Sequence, residues 1–91
     1  MNLYEKVASQ IIKEQEGIIG PLAFDQARKV NGIEIDAAGA IHISGNGKDV
    51  LDQLVRQYSE LFGRASVEVC KEAVKEVDSS ISSEELPDIL K

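Results

Sequence analysis

The chain has 91 residues, 43% of them hydrophobic and 29% charged, a balance that describes one small globular domain and excludes a disordered or fibrous chain. A formal net charge of −6 argues against duplex DNA or RNA as a default partner, because nonspecific affinity for nucleic acid comes from lysines and arginines that displace counterions from phosphates. With no tryptophan and 4% aromatic residues the core must be small, so self-association is expected to supplement it.

Leu3, Tyr4, Val7, Ala8, Ile11 and Ile12 recur at three and four spacing while Glu5, Lys6, Lys13 and Glu14 fall elsewhere, which predicts an amphipathic helix ending at Gly17. Charges interrupt this stretch, and nowhere does an apolar run approach the roughly 18 residues of a membrane span, so neither a signal peptide nor a span is expected. Gly20 before Pro21 suits a chain break with proline in the first turn of a new helix, from Pro21 to Val30, stopped by Asn31 and Gly32. One helix kinked at Pro21 is the alternative.

The period then changes to two. Ile33 and Ile35 alternate with Glu34, and Ile41 and Ile43 with His42, so a hairpin is predicted with Ala37, Ala38 and Gly39 as its loop. That register sets Asp36 opposite Ala40, Ile35 opposite Ile41, Glu34 opposite His42 and Ile33 opposite Ile43, with all four isoleucines on one face. A lone two-stranded ribbon is marginal in water, so that face must lie on helices and its edges must be covered or paired.

Val50, Leu51, Leu54, Val55, Tyr58, Leu61 and Phe62 form the strongest helical stripe, terminated by Gly63. A second helix follows with Val69, Cys70, Ala73, Val74 and Val77 inward and Glu68, Lys71, Glu72, Lys75 and Glu76 outward, the two forming an antiparallel pair. The expected fold is therefore α+β in the order α-α-β-β-α-α, a single domain over residues 1–78. Residues 79–91, serine-rich and acidic, are expected to form a flexible tail that docks, if at all, through Ile81, Leu86, Ile89 and Leu90, with Ser83 as a cap.

The stretch HISGNGKD, from His42 to Asp49, has the strand, glycine turn and helix of a phosphate loop but not its chemistry. Counting back from Gly47 places His42 where that motif needs glycine, and Asp49 stands where it needs serine or threonine. The dinucleotide pattern fails at Val50. Ser44, Gly45, Asn46, Gly47 and Lys48 still place backbone amides and one cation at a helix start, where an anion is favoured, but Asp49 and Asp52 already complement the helix dipole. The ordinary reading is that Ser44 or Asn46 caps the helix and the glycines permit the turn.

His42, the single histidine, is expected to pair with Glu34 across the hairpin. One histidine and one cysteine far apart do not make a structural zinc site, so neither metal nor cofactor is expected. Cys70 lies on an apolar stripe, where a thiol packs as a small hydrophobe rather than as a nucleophile. It cannot form an internal disulfide, and a lone thiol fits a reducing cytoplasm. Glu68, Glu72 and Glu76 line one helix face with lysines interleaved, the pattern of a solvated surface rather than of a paired acid and base. A helix-turn-helix around Gly63 would read DNA with Arg64, Ser66, Glu68, Lys71, Glu72, Lys75 and Glu76, a face carrying carboxylates, while Arg28, Lys29, Arg56 and Arg64 are the residues that would have to cluster elsewhere.

By elimination the expected function is a non-catalytic cytoplasmic interaction or regulatory module that pairs with a second copy of itself or with another protein. The candidate joining surfaces are the hairpin, through the edges beside Ile33, Ile35, Ile41 and Ile43, and an apolar patch at Ile18, Ile19, Phe24 and Val67. Neither nucleic acid nor membrane is an expected partner. A small-anion sensor at Ser44 to Lys48 is the alternative, and a DNA-binding module comes third.

Overall fold

The structure of the chain, a computed structural model, describes residues 2–77 and 81–91. Its elements follow the expected order: α1 (Leu3–Ile19), α2 (Leu22–Arg28), β1 (Ile33–Ile35), β2 (Ile41–Ile43), α3 (Gly47–Phe62) and α4 (Arg64–Val77), then two 3₁₀ turns at Ser83–Glu85 and Asp88–Leu90. The result is a small α+β domain in which the antiparallel hairpin packs against helices.

Helix α1 starts at a reciprocal cap. The Asn2 side chain accepts from the Glu5 backbone N–H at 2.9 Å, and the Glu5 carboxylate accepts from the Asn2 N–H at 3.1 Å. The helix runs through Gly17, where the sequence suggested a stop, and ends at Gly20. A glycine inside a helix costs only about 1 kcal/mol relative to alanine, whereas Pro21 has no N–H with which to continue the ladder. The break therefore falls at the Gly20–Pro21 step, and α1 and α2 are separate helices. Helix α2 is shorter than expected because its end tightens: the N–H groups of Lys29 and Val30 bond to Gln26 and Ala27, three residues back.

The hairpin has the expected register, Ile33 opposite Ile43, Glu34 opposite His42 and Ile35 opposite Ile41. Gly39 turns the loop at φ +88°, and the Asp36 carboxylate stiffens it by accepting from the N–H groups of Ala38 and Ala40 at 2.9 and 3.0 Å. Ile33 and Ile41 are buried, Ile35 and Ile43 pack partly buried against the same core, and Glu34 and His42 point outward.

Helix α3 buries Val50, Leu51, Leu54, Val55 and Tyr58 against α1, α2 and α4. The Tyr58 hydroxyl reaches across to donate to the Ala23 carbonyl at 2.6 Å. At Gly63, φ +81° reverses the chain with no helical residue spare, a conformation that an L side chain adopts only under strain. Helix α4 then buries Ser66, Cys70, Ala73 and Val74. Ser66, placed by the sequence on the exposed face, is thus on the inner one, because α4 turns it towards α1.

The C-terminal stretch takes the docked form that its apolar residues allowed. Residues 81–91 lie back on α3 and α4, and Leu86, Pro87 and Leu90 are buried there. Burying a leucine stabilises by about 1.5–3 kcal/mol, enough to hold down a segment whose acidic groups remain in water. In its first turn the Ser82 hydroxyl accepts from the Glu84 N–H at 3.2 Å; the side chain of Ser83, the expected cap, lies outside what the structure describes. The boundary drawn between residues 78 and 79 falls outside the described residues.

Candidate functional site

The glycine turn before α3 is built for the backbone. The Asn46 side chain accepts from the Asp49 N–H at 3.1 Å, capping the helix and occupying an amide that an anion would need. A side chain at Gly47 would collide with the ring of Tyr4, so this glycine permits close packing of α1 on the start of α3. Lys48 shares a shallow cleft with Asp49, Asp52, Arg56 and Asp88, and the three carboxylates oppose an incoming phosphate. Ser44 donates its backbone N–H to the Gly32 carbonyl at 2.9 Å, extending the hairpin by one bond.

On the outward face of the hairpin, His42 finds a different partner from the one the register suggested. Its Nε2 lies 2.9 Å from Asp36 Oδ2, while Glu34, directly opposite, acts only through its charge. Asp36, Glu34 and His42 share one face, and the loop holds Asp36 within reach. The hydrogen bond to Asp36 raises the His42 pKa and lowers that of Asp36. Cys70 is wholly buried, where burial pushes its thiol up to about 11 and the Gln15 amide lies 3.5 Å from its sulfur. A buried neutral thiol is a poor nucleophile. Among the described residues no group of three or more histidine, cysteine, aspartate or glutamate side chains is placed to hold a metal ion.

Most of the basic side chains considered for DNA already face carboxylates. Arg28 lies 3.5 Å from Asp25, Arg56 2.8 Å from Asp52, Lys71 3.9 Å from Glu68 and Lys75 3.4 Å from Glu72. Lys29 and Arg56 meet in one shallow cleft, with Glu60 in its lining. Among the described residues, no helix is long and apolar enough to cross a membrane.

The two expected joining surfaces differ in what they offer. In the hairpin the isoleucine side chains are turned into the protein's own core, which leaves only edges of three residues. Those edges are partly occupied: the Ile43 N–H donates to the Glu5 carboxylate at 3.0 Å, and the Ile33 N–H to the Val30 carbonyl at 3.2 Å. The bond from the Ile43 N–H, with the one from the Asn2 N–H, lowers the Glu5 pKa. Phe24 packs partly buried beside Ile12 and Ile41, and Val67 is also partly buried.

The corner is different. Ile18 is 63% exposed, Leu22 49%, Leu61 52% and Phe62 37%, and these are the large hydrophobic side chains that stand exposed among the described residues. They sit where α1 ends and α2 begins and where α3 turns into α4. A cleft of about 230 Å³ lies between Ile18 and Ile19 on one side and Phe62, Ala65 and Val69 on the other, with Gln15 and Ser66 completing it. None of these seven lining residues is ionisable. Of the four exposed side chains, Ile18 and Phe62 line this cleft, while Leu22 and Leu61 are their near neighbours along the chain.

Gln15 is the residue that the sequence reading passed over. It is buried, and its amide donates to the Ser66 carbonyl at 3.2 Å, fixing α1 against α4 beneath the cleft. Its spacing from Ala8, Ile11 and Ile12 continues the inward stripe of α1, which is the signal that marks it. Leu22, Leu61 and Phe62 were likewise absent from the expected patch. No family model matches this chain, and neither a curated protein nor a solved structure does.

Proposed function

We propose that the protein is a non-catalytic interaction module of the cytoplasm that pairs with a second copy of itself through the corner at Ile18, Leu22, Leu61 and Phe62. The supporting observation is that two of the exposed hydrophobic side chains, Ile18 and Phe62, line a cleft without ionisable groups, with Leu22 and Leu61 close to them in sequence. Contiguous apolar surface of this kind marks contact sites. The occupant follows from charge. Two copies at −6 each repel wherever their acidic faces meet, and an uncharged face is where they approach at least cost. In a two-fold pair the same patch serves both copies, so Phe62 and Ile18 of each protomer are available to the cleft of the other. The hairpin is the weaker surface, since Glu5 and Val30 take N–H groups that an added strand would need. The buried thiol of Cys70 suits a reducing compartment.

Light scattering over a dilution series tests this. The expected result is a dimer that tightens as salt screens the repulsion, and that becomes a monomer in the double variant Ile18→Glu, Leu61→Glu with an unchanged circular dichroism spectrum. A wild-type chain that is monomeric at every concentration overturns the proposal, as does a dimer that survives both substitutions.

A further inference from the structure

A second cavity, of about 320 Å³, lies away from the corner, between α4 and the C-terminal segment. Its apolar wall is Val74, Ile81, Leu86 and Leu90, and Lys71, Lys75 and Lys91 also line it. On a chain of net charge −6 this lining sets three lysines against two glutamates beside an apolar wall. Glu68 and Glu72 are also on the rim. Their ion pairs with Lys71 and Lys75, at 3.9 and 3.4 Å, are neighbours along one helix and open to water, as is the Lys91 to Asp88 pair at 3.1 Å. Such pairs are weak, so the lysines can turn to another anion at little cost.

The segment that closes the cavity is held in a particular way. Among the described residues, the hydrogen bonds of residues 81–91 stay within the segment, and it is the burial of Leu86, Pro87 and Leu90 that fastens it to α3 and α4. An apolar guest lying between Leu86, Leu90 and Val74 adds to that same contact.

We propose that this cavity binds a free single-chain amphiphile with a carboxylate head, a medium-chain fatty carboxylate. The alkyl chain lies against Val74, Ile81, Leu86 and Leu90, and the carboxylate meets Lys71 and Lys75. The volume is near the lower end of the roughly 300–1,000 Å³ typical of ligand pockets, which suits one short chain rather than a two-chain lipid. Binding ties the C-terminal segment to α4 and thereby stabilises the folded chain.

Sodium decanoate, titrated below its micellar range into isotopically labelled full-length protein, is the direct test. The expected result is saturable shifts of the Val74, Leu86 and Leu90 resonances with a rise in melting temperature. Decanol, which has the chain without the charge, is expected to bind more weakly. In Lys71→Gln, Lys75→Gln the affinity for decanoate falls by about tenfold, the size expected for losing a charge-assisted hydrogen bond, while binding of decanol is unchanged. In Glu68→Gln, Glu72→Gln it rises. Both pairs of positions are on the surface of α4, and circular dichroism confirms that the variants fold. Absence of saturable binding overturns the proposal. So do equal affinities for decanoate and decanol, shifts confined to the Ile18 and Phe62 corner, or binding only to phosphatidylglycerol vesicles.

Discussion

Gly47 shows how a residue's role depends on what lies across from it. In the sequence it belongs to a glycine turn with a lysine beside it, and the neighbouring residues alone make it a plausible anion cradle. In the fold its missing side chain is the space that Tyr4 occupies, 43 positions earlier in the chain. Gly47→Ala is therefore expected to destabilise the protein by about 1–3 kcal/mol, the usual cost of overpacking, and to do so equally with and without phosphate in the buffer. Chemical denaturation in the two buffers checks this, and a loss that appears only in phosphate would return the turn to the list of ligand sites. Gln15 illustrates the converse. Its polarity hid it among surface residues, although its helical spacing placed it on the buried stripe, where the amide is satisfied by the Ser66 carbonyl.

At the scale of elements, the hairpin is joined to α1 by a carboxylate. Glu5 caps its own helix with one oxygen and holds the Ile43 N–H with the other, so a single side chain serves both local and long-range structure. Because these bonds hold the Glu5 pKa below its ordinary 4.5, the stability it contributes is present above that value and is lost as the pH falls through the lower, folded one. His42 has the opposite sign. Its pKa is raised above 6.5 by Asp36, so its contribution is complete below 6.5 and is lost as the pH rises through the folded value. The hairpin, with its internal His42 to Asp36 pair and its Glu5 tie to α1, is expected to be firmest between these limits, at mildly acidic pH. Thermal melts of the wild type and Glu5→Gln test the acid side: the gap between their melting temperatures should close as the pH is lowered past the point where Glu5 takes up its proton. A gap of constant size down to acid pH would mean that the charge on Glu5 has no part in it.

For the whole molecule, the core is completed by residues that lie outside its main helical stripes. Leu86 and Leu90 close the groove between α3 and α4 from the far end of the chain. Each is expected to cost about 2–5 kcal/mol on replacement by alanine if the segment folds with the rest, because a buried leucine loses both its transfer energy and its packing. If the segment unfolds separately, the loss is limited to its own docking energy, and the melting temperature of the remaining domain stays as it was. Denaturant midpoints of Leu86→Ala and Leu90→Ala decide which holds, read beside amide exchange in residues 81–91. At this scale the exposed corner also acquires meaning. Ile18 and Phe62 lie on different helices, and only the packing of α1 against the turn from α3 into α4 makes them neighbours across one cleft.

How much of this was legible in the sequence depended on range. The order of elements, the hairpin register with Gly39 in its loop and the stop at Gly63 follow from local steric and hydrogen-bonding rules, and the isoleucine alternation needs nothing beyond residues 33 to 43. The Asn2 and Glu5 cap obeys the same kind of rule and can be found by its three-residue spacing. The helix end at Gly20 rather than Gly17 shows the limit, since two nearby glycines carry nearly the same local signal and the strict stop comes from Pro21. What only the tertiary structure decided is which surfaces meet. That Gln15 is buried, that Tyr4 covers Gly47, that the acidic stretch folds back through Leu86 and Leu90, and that Ile18 and Phe62 are left exposed beside one cleft are all outcomes of helix packing. Periodicity tells which face of a helix is apolar. How far that face is covered depends on residues distant in sequence and on the small volume of core that a chain of this length can enclose.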